Sequence, residues 1–421
     1  MSRKEQIISA IDIGTTKIVA IICRRNEQGK FDVLGMGQAP SSGVKRGVVI
    51  HIEDTVAAIS TAKNAAEEQA GIKMQEVYVG IAGQHIKSMK NRNRKYIEGE
   101  EITEADVNYL TEQMKKTPVD PGEEILHVIP QSYIVDKEED VSRPIGIAGQ
   151  VLEANFHLVI GKIASAKNIL KCIDRTDLKV KKLILEPLAS SAAVLTADEL
   201  EAGVALIDIG GGTTDVAVFH NNVVGHTAVI PFGGNVITND IKEGCSILLR
   251  HAEALKTQFG SAMGDTAPNE KVVAIPGISG REAREISFKN LAYIIQARME
   301  EIFDAVIFEI ENSGYQDKLS AGLVITGGGS LLRDLPQLVK FKTGYDVRLG
   351  YPNKLLVPEI DDNVNQPMYA TSIGLTIKGV ETGFTSSSGY SGSGGISFPT
   401  GIGVKVKEKW TRFFSEDNDT F

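Results

Sequence analysis

The sequence lacks the features that mark secreted, metal-binding or nucleic-acid-binding proteins. It has only three cysteines, Cys23, Cys172 and Cys245, which lie far apart and show no metal-ligand spacing. They provide neither a disulfide framework nor a zinc site, which favours a reducing cytoplasm. Positive charge is not in excess, since the formal net charge is -9, and this argues against a nucleic-acid partner. Long apolar runs are also missing, so we expect neither a signal peptide nor a transmembrane span.

The remaining composition is that of folded domains in water. Hydrophobic residues make up 42% of the chain and charged residues 24%, which is ordinary for a globular protein. Because 421 residues are many for one hydrophobic core, two or more domains are expected.

One pattern of strand, turn and strand occurs twice in the chain. The first copy spans residues 7–22 and the second spans residues 204–219, and in each an apolar strand leads into Asp-Ile-Gly and a pair of threonines. Two similar copies predict two related domains that face each other, each offering one hairpin turn to a shared site. The turns read Asp12-Ile13-Gly14-Thr15-Thr16-Lys17 and Asp208-Ile209-Gly210-Gly211-Gly212-Thr213-Thr214-Asp215.

The second turn has the composition of a phosphate site. Adjacent glycines let the backbone approach a ligand, and their N–H groups can surround an anion together with the Thr213 hydroxyl. Asp208 ends its strand, where a carboxylate can hold a phosphate-bound Mg²⁺ through water. In the first turn, Lys17 is either a phosphate-binding charge or an ordinary exposed lysine. A tight hairpin with a solvated Asp is the simpler alternative, but three glycines, two threonines and two aspartates exceed what a turn requires.

Two further places have residues that suit a nucleotide. Glu186 precedes Pro187 at a predicted strand-to-helix junction. There it either orders water near a γ-phosphate, binds Mg²⁺ through water, or is a helix-start carboxylate favoured by the helix dipole. The glycines at 327–329 follow a predicted strand, and a helix is predicted to begin at about Ser330. Such a junction is compatible with a nucleotide, although a glycine cluster alone is not specific.

Between these motifs lies a block that has no phosphate motif. From about Gln84 the sequence indicates a small inserted α/β domain, with a helix that begins after Thr103 and uses Asp106 in a capping box. Its basic segment, residues 87–95, is predicted to be a solvated loop rather than a binding patch.

The order of the motifs resembles the actin, sugar-kinase and heat-shock-chaperone ATPase superfamily. There the two turns are phosphate loops, Glu186-Pro187 begins a connecting helix, and Thr326-Gly327-Gly328-Gly329 is the adenosine loop. Within that superfamily the chain resembles the bacterial cell-division FtsA family. This resemblance rests on the insertion after Ile81-Ala82-Gly83-Gln84-His85, on the segment from Ile230 to Ile241, and on the tail.

The resemblance implies an α/β fold with two lobes, made of duplicated actin-like core domains and two small subdomains. It places the first core domain in residues 1–84, 164–196 and 360–380, the inserted domain in 85–163, the second core domain in 197–232 and 300–359, and the second small subdomain in 233–299.

The resemblance also implies that ATP and Mg²⁺ bind between the lobes. Asp12 and Asp208 would orient Mg²⁺ through water, and Glu186 would position the attacking water. We expect at most slow hydrolysis, with ATP governing lobe closure and head-to-tail self-association. The implied ATP-binding residues are Gly14, Thr15, Thr16, Lys17, Gly210, Gly211, Gly212 and Thr213, with Gly233, Glu301, Gly327, Gly328 and Gly329 near the nucleoside.

The tail predicts a tethered amphipathic helix. Residues 381–400 are rich in Gly and Ser, and a flexible linker of roughly 20 residues reaches on the order of 25 Å. Over residues 401–415 an apolar stripe is flanked by basic side chains, which suits an anionic membrane surface, although an acidic end follows. The alternative is a helix docked on the body or on a partner. The stripe consists of Ile402, Val406, Trp410, Phe413 and Phe414.

The FtsA resemblance implies a division role. Such a protein anchors FtsZ filaments to the cytoplasmic face of the inner membrane at the septum and recruits later division proteins. We expect the FtsZ contacts near residues 277–287, on position alone. A small-molecule kinase and a pilus-assembly actin-like protein are the alternatives. A DnaK-type chaperone is disfavoured because the roughly 40 residues after Lys378 are too few for a β-rich substrate domain.

Overall fold

The structure is a computed structural model that describes residues 6–276, 282–358 and 361–384. The predicted membrane helix, nearly all of the predicted linker, and residues 277–281 of the segment expected to contact FtsZ lie outside these ranges.

The strands and helices of the described residues fall into four consecutive groups. The first holds β1 (Gln6–Ile13), β2 (Lys17–Arg25), β3 (Phe31–Pro40), β4 (Val44–Lys45), β5 (Val48–Val49), α1 (Ile52–Ala70) and β6 (Glu76–Ile81). The second holds β7 (Lys87–Tyr96), α2 (Glu104–Met114), β8 (Glu123–Val135), β9 (Glu138–Val141) and β10 (Val151–Lys162). The third holds α3 (Ile163–Asp174), β11 (Lys179–Leu185), α4 (Glu186–Val194) and α5 (Ala197–Ala202). The fourth holds β12 (Val204–Ile209), β13 (Thr214–His220), β14 (Val223–Ile230), α6 (Gly234–Cys245), α7 (Leu249–Phe259), β15 (Val272–Ile275), β16 (Arg284–Ser287), α8 (Phe288–Ser313), β17 (Leu323–Thr326), α9 (Leu335–Thr343), β18 (Val347–Leu349) and α10 (Ala370–Phe384).

Two five-stranded sheets share one topology. Their strand orders are β3-β2-β1-β6-β11 and β14-β13-β12-β17-β18. In each, three consecutive strands pair antiparallel, and two later strands join in parallel beside the first. A parallel neighbour requires a crossover, which α1 supplies before β6 and α9 supplies before β18. The duplicated core that the sequence predicted is therefore confirmed.

The central strands are buried on both faces because helices cover both faces of each sheet. All six residues of β12 are buried, and so are six consecutive residues of β1 and six of β2, which explains their continuous apolar runs. Helices α4 and α10 lie in the apolar cluster that joins the two sheets. A Cβ on Gly374 would lie 1.8 Å from the Ala189 oxygen, so the small residues after Pro187 permit this close packing, as predicted.

The inserted block forms its own four-stranded antiparallel sheet, ordered β7-β10-β8-β9, with α2 against it. Its apolar cluster includes the fully buried Leu152 and Phe156 of β10. The capping box of Thr103 and Asp106 is confirmed. The prediction of a solvated loop over residues 87–95 is wrong, because this segment is the edge strand β7, paired along its whole length with β10.

None of the helices within residues 6–276, 282–358 and 361–384 combines the length and the apolar character needed to cross a membrane.

Candidate functional site

The two hairpin turns meet at one cavity of about 500 Å³. A Cβ on Gly211 would lie 2.2 Å from Thr16 Cγ2, and a Cβ on Gly212 would lie 2.5 Å from Thr15 Oγ1. Any larger residue would therefore push the turns apart, so the glycines allow the two copies to touch. The simpler interpretation of a solvated hairpin turn does not describe this arrangement, because Asp208 is 8% exposed.

Most of the predicted site residues line this cavity. Those that do are Asp12, Gly14, Thr15, Thr16, Lys17, Glu186, Asp208, Gly210, Gly211, Gly212, Thr213, Gly327, Gly328 and Gly329. Gly233 lies behind the second turn instead, where its Cβ would be 2.5 Å from the Gly210 oxygen. Glu301 is not among the lining residues either, and its exposed carboxylate pairs with Arg298 on the surface of α8.

Helix α7 supplies four lining residues that the sequence analysis missed, Glu253, Lys256, Thr257 and Gln258. Glu253 and Lys256 face the cavity together with Gly234 at the start of α6. The Lys256 ammonium donates to the Gly234 oxygen at 3.0 Å, to Thr238 Oγ1 at 2.8 Å and to Glu253 Oε2 at 2.8 Å. Their spacing of three residues puts both on one helix face. That spacing was the only available signal, and it is common on ordinary surface helices.

The glycine cluster after β17 packs against the second turn. Gly327 has φ 82°, and a Cβ there would lie 2.3 Å from Asp208 Oδ1, so only glycine fits this approach. The helix predicted to begin at about Ser330 is instead a 3-10 turn, and α9 begins at Leu335. Pro336 accounts for the later start, because proline is favoured in the first turn of a helix.

Carboxylates dominate the charge of the cavity. Burial raises the pKa of Asp12 to about 7, against the opposing effect of Lys17, and also raises the pKa of Asp208 and of Asp215. Asp208 Oδ2 accepts hydrogen bonds from Ser190 at 2.7 Å and from Thr371 at 3.2 Å. Asp215 Oδ1 is buried and has no hydrogen-bond partner in the part of the chain that the structure describes. A bound cation would compensate this uncancelled negative charge.

Lys17 is the cation that the first turn brings to these acids. Its Nζ atom is buried, has no hydrogen-bond partner within residues 6–276, 282–358 and 361–384, and lies 4.0 Å from the ring centroid of Tyr369. Burial lowers the pKa of Lys17 to about 8, although Asp12 and Asp208 act in the opposite direction. The alternative of an ordinary exposed lysine is therefore wrong. An ammonium group beside a glycine-rich turn is suited to donate a hydrogen bond to a phosphate oxygen.

Glu186 is the first residue of α4 and is held in place from two sides. A Cβ on Gly80 would lie 2.8 Å from Glu186 Oε1, so glycine at position 80 leaves room for the carboxyl group. The N–H of Leu185, the preceding residue, donates to His127 Nε2 of the inserted domain at 3.1 Å. Burial, followed by the charges of Asp12, Asp215 and Asp208, raises the pKa of Glu186 well above its ordinary value.

The arrangement can bind phosphates and, with them, a hydrated divalent cation. In the part of the chain that the structure describes, no group of three or more His, Cys, Asp or Glu side chains is placed to hold a metal ion directly. Contact through water therefore fits this donor set better than direct ligation, as is usual for Mg²⁺ bound with phosphates.

The fold places this site in a known class of protein. The solved PilM-PilN type IV pilus biogenesis complex matches 89% of this chain and 98% of its own, with a TM-score of 0.64 and 14% identity. MreB5 of Spiroplasma citri bound to ADP matches 91% of this chain and 99% of its own, with a TM-score of 0.53 and 16% identity. The chain has the actin-like ATPase fold.

Sequence comparison then identifies the family. The family model described as Cell division protein FtsA matches residues 205–374, and the model of the SHS2 domain inserted in FTSA matches residues 83–160. The Cell division protein FtsA of Neisseria meningitidis serogroup B is 40% identical over 376 residues, covering 89% of this chain and 90% of the relative. That of Escherichia coli K12 is 34% identical over 384 residues, covering 90% and 91%. The chain belongs to the FtsA family of cell division proteins.

Proposed function

We propose that this chain binds ATP with Mg²⁺ between its lobes and anchors FtsZ filaments to the cytoplasmic face of the inner membrane at the division site. The observation that supports nucleotide binding is the contact of the two hairpin turns at one cavity, beside the buried ammonium of Lys17. The MreB5 relatives of the same fold are described as bound to ADP and to AMPPNP, which supports a nucleotide as the ligand.

The residues of the cavity have three chemical roles in this proposal. Lys17 and the N–H groups of the two turns would bind the phosphates, and Asp12 and Asp208 would hold Mg²⁺ through water. Bound Mg²⁺ would neutralise the phosphate charge. Glu186 would position water, with hydrolysis at most slow. Glu253 and Lys256, which line the cavity, would lie near the nucleoside in place of Glu301.

The membrane half rests on the sequence of the tail. Its apolar stripe from Ile402 to Phe414, flanked by basic residues and preceded by a Gly/Ser-rich linker, has the composition of a helix that lies in a membrane interface. Head-to-tail assembly into filaments and recruitment of later division proteins complete the proposal, which the family membership supports.

Co-sedimentation with liposomes tests both halves. The whole chain and a chain that ends at residue 400 are each mixed with vesicles containing anionic lipid, with and without ATP and FtsZ. We expect only the whole chain to sediment and to carry FtsZ with it. Equal sedimentation of both chains would refute the membrane role of the tail. Absence of ATP binding by the soluble, folded shorter chain would refute the nucleotide site independently.

A further inference from the structure

Strand β7 of the inserted sheet has a free outer edge. It lies at the end of the order β7-β10-β8-β9, so among the described residues only its inner edge is paired with another strand. The Ile97 N–H donates to the Gln150 oxygen, and the register with β10 continues without a shift from there. Because antiparallel pairing alternates, the backbone groups of odd-numbered residues bond to β10, and those of Arg92, Arg94 and Tyr96 point outward.

The outward N–H groups are satisfied by side chains of the same strand. Arg92 N–H donates to Asn91 Oδ1 at 2.8 Å, and Arg94 N–H donates to Asn93 Oδ1 at 2.8 Å. A side-chain amide on an exposed strand can rotate away and leave these donors to the carbonyl groups of an added strand. The first part of β7 is not available, because Ser88 contacts Thr227 of β14 at 2.8 Å. The available edge is therefore residues 91–96.

The exposed side chains of β7 are basic, and their positive charge favours an acidic partner strand. Lys90, Arg92 and Arg94 are exposed on one face of β7, and Arg92 is paired with Glu153. Arg94 has no ion pair among the described residues, and its guanidinium lies 5.8 Å from the Tyr96 ring. A second copy of β7 paired antiparallel would bring arginines together, which is unfavourable. An acidic strand would instead gain the Arg94 charge.

We propose that the outer edge of β7 binds an extended acidic segment of a partner protein as an added strand. Backbone hydrogen bonds to Arg92 and Arg94 supply the pairing, and carboxylates of the segment face the exposed basic side chains. The acidic residues Glu98, Glu100 and Glu101 follow β7 in sequence, so the segment covers about six residues and ends before them. This interaction is independent of the nucleotide site.

Peptide binding to the whole chain tests the proposal. The probe is a fluorescein-labelled octapeptide that alternates Glu and Val, and the comparison peptide has Lys in place of Glu. We expect the Glu peptide to raise fluorescence anisotropy on binding and the Lys peptide to show no binding. Hydrogen exchange at the Arg92 and Arg94 amides should slow when the Glu peptide is present.

Two variants distinguish the contribution of the backbone hydrogen bond to peptide binding from that of the side-chain charge. Arg94→Pro removes the outward N–H but spares the inner ladder, and Arg94→Glu keeps the N–H but reverses the charge. Each should weaken binding at least about tenfold, whereas Lys116→Glu on the exposed surface of the same domain should not. Equal binding of both peptides, no binding of the Glu peptide, or unchanged exchange at Arg92 and Arg94 would each overturn the proposal, even if Arg94→Pro failed to fold.

Discussion

Gly211 of the second hairpin turn lies directly against Thr16 of the first, and a Cβ on Gly211 would be 2.2 Å from Thr16 Cγ2. The two halves of the duplicated core therefore meet through a contact that allows no side chain. We predict that Gly211→Ala separates the turns and weakens ATP binding about tenfold, since overpacking a close contact costs about 1–3 kcal/mol.

Isothermal titration with ATP and Mg²⁺ measures this effect. Gly99→Ala is the matched control, because a Cβ at Gly99 has its nearest neighbour at 3.6 Å and lies outside the cavity. Its affinity should equal that of the unmodified chain. An unchanged affinity in Gly211→Ala would show that the contact between the turns does not shape the site.

The lowered pKa of Lys17 leads to a separate prediction, which concerns how ATP affinity depends on pH. Burial lowers this pKa to about 8, so without ligand the ammonium loses its proton as the pH rises above that value. Phosphate binding requires the charged form, and ATP affinity should therefore fall between about pH 8 and pH 10. Loss of a charged hydrogen bond corresponds to about 2 kcal/mol, or roughly thirtyfold in affinity.

Lys17→Arg is the informative variant, because arginine keeps its charge throughout this pH range. Its affinity at neutral pH can differ from that of the unmodified chain, and the measured quantity is the change with pH. We expect a nearly flat profile for the variant. If both chains lose affinity in parallel, Lys17 is not the group that titrates.

The inserted domain contacts the residue that precedes Glu186 through His127. Its Nε2 accepts the N–H of Leu185, which is fully buried and immediately precedes Glu186. His127→Ala would leave this donor unpaired, at a cost of about 1–3 kcal/mol in the free energy of unfolding. His127→Gln should recover part of the loss, because its amide oxygen can accept a hydrogen bond.

Urea unfolding measures that free energy, and ATP titration shows whether the position of Glu186 is also affected. His51→Ala is the control, since His51 is exposed and its side chain makes no capping bond to α1. Equal unfolding midpoints for His127→Ala and His51→Ala would contradict the role assigned to His127.

The sequence predicted the features that depend on local residues. Both hairpins, the capping box at Thr103 and the glycines at 327–329 follow from short stretches in which each residue type has a local reason. Strand β7 could not be predicted from such local features, because its polar, basic sequence forms a strand only by pairing with β10, about sixty residues further along the chain.

The lining of the cavity beside α6 and α7 was predicted less well for the same reason. Glu301 was expected there from the family resemblance, but α8 turns this side chain to the surface, where it pairs with Arg298. Glu253 and Lys256 reach the cavity because α6 and α7 pack together beside the second turn. That packing depends on contacts distant in sequence, which residue spacing alone does not reveal.

His157 links the inserted sheet to the second core sheet and makes stability depend on pH. It is fully buried, and its Nε2 lies 2.9 Å from Thr227 Oγ1 of β14. Burial lowers the pKa of His157 to about 3, with a further contribution from His226 and Lys90. The unfolded chain, in which His titrates near pH 6.5, therefore binds more protons below that pH, and stability falls as the pH decreases towards the folded value.

Between pH 7 and pH 5 this one group should lower the free energy of unfolding by about 2 kcal/mol. His157→Gln keeps a polar group near Thr227 but does not titrate, so its loss over the same interval should be smaller by that amount. Urea unfolding of both chains at the two pH values gives the comparison. His85, whose pKa burial lowers to about 4, contributes equally to both chains and cancels in the difference. An identical loss in both chains would mean that His157 is not responsible for the pH dependence.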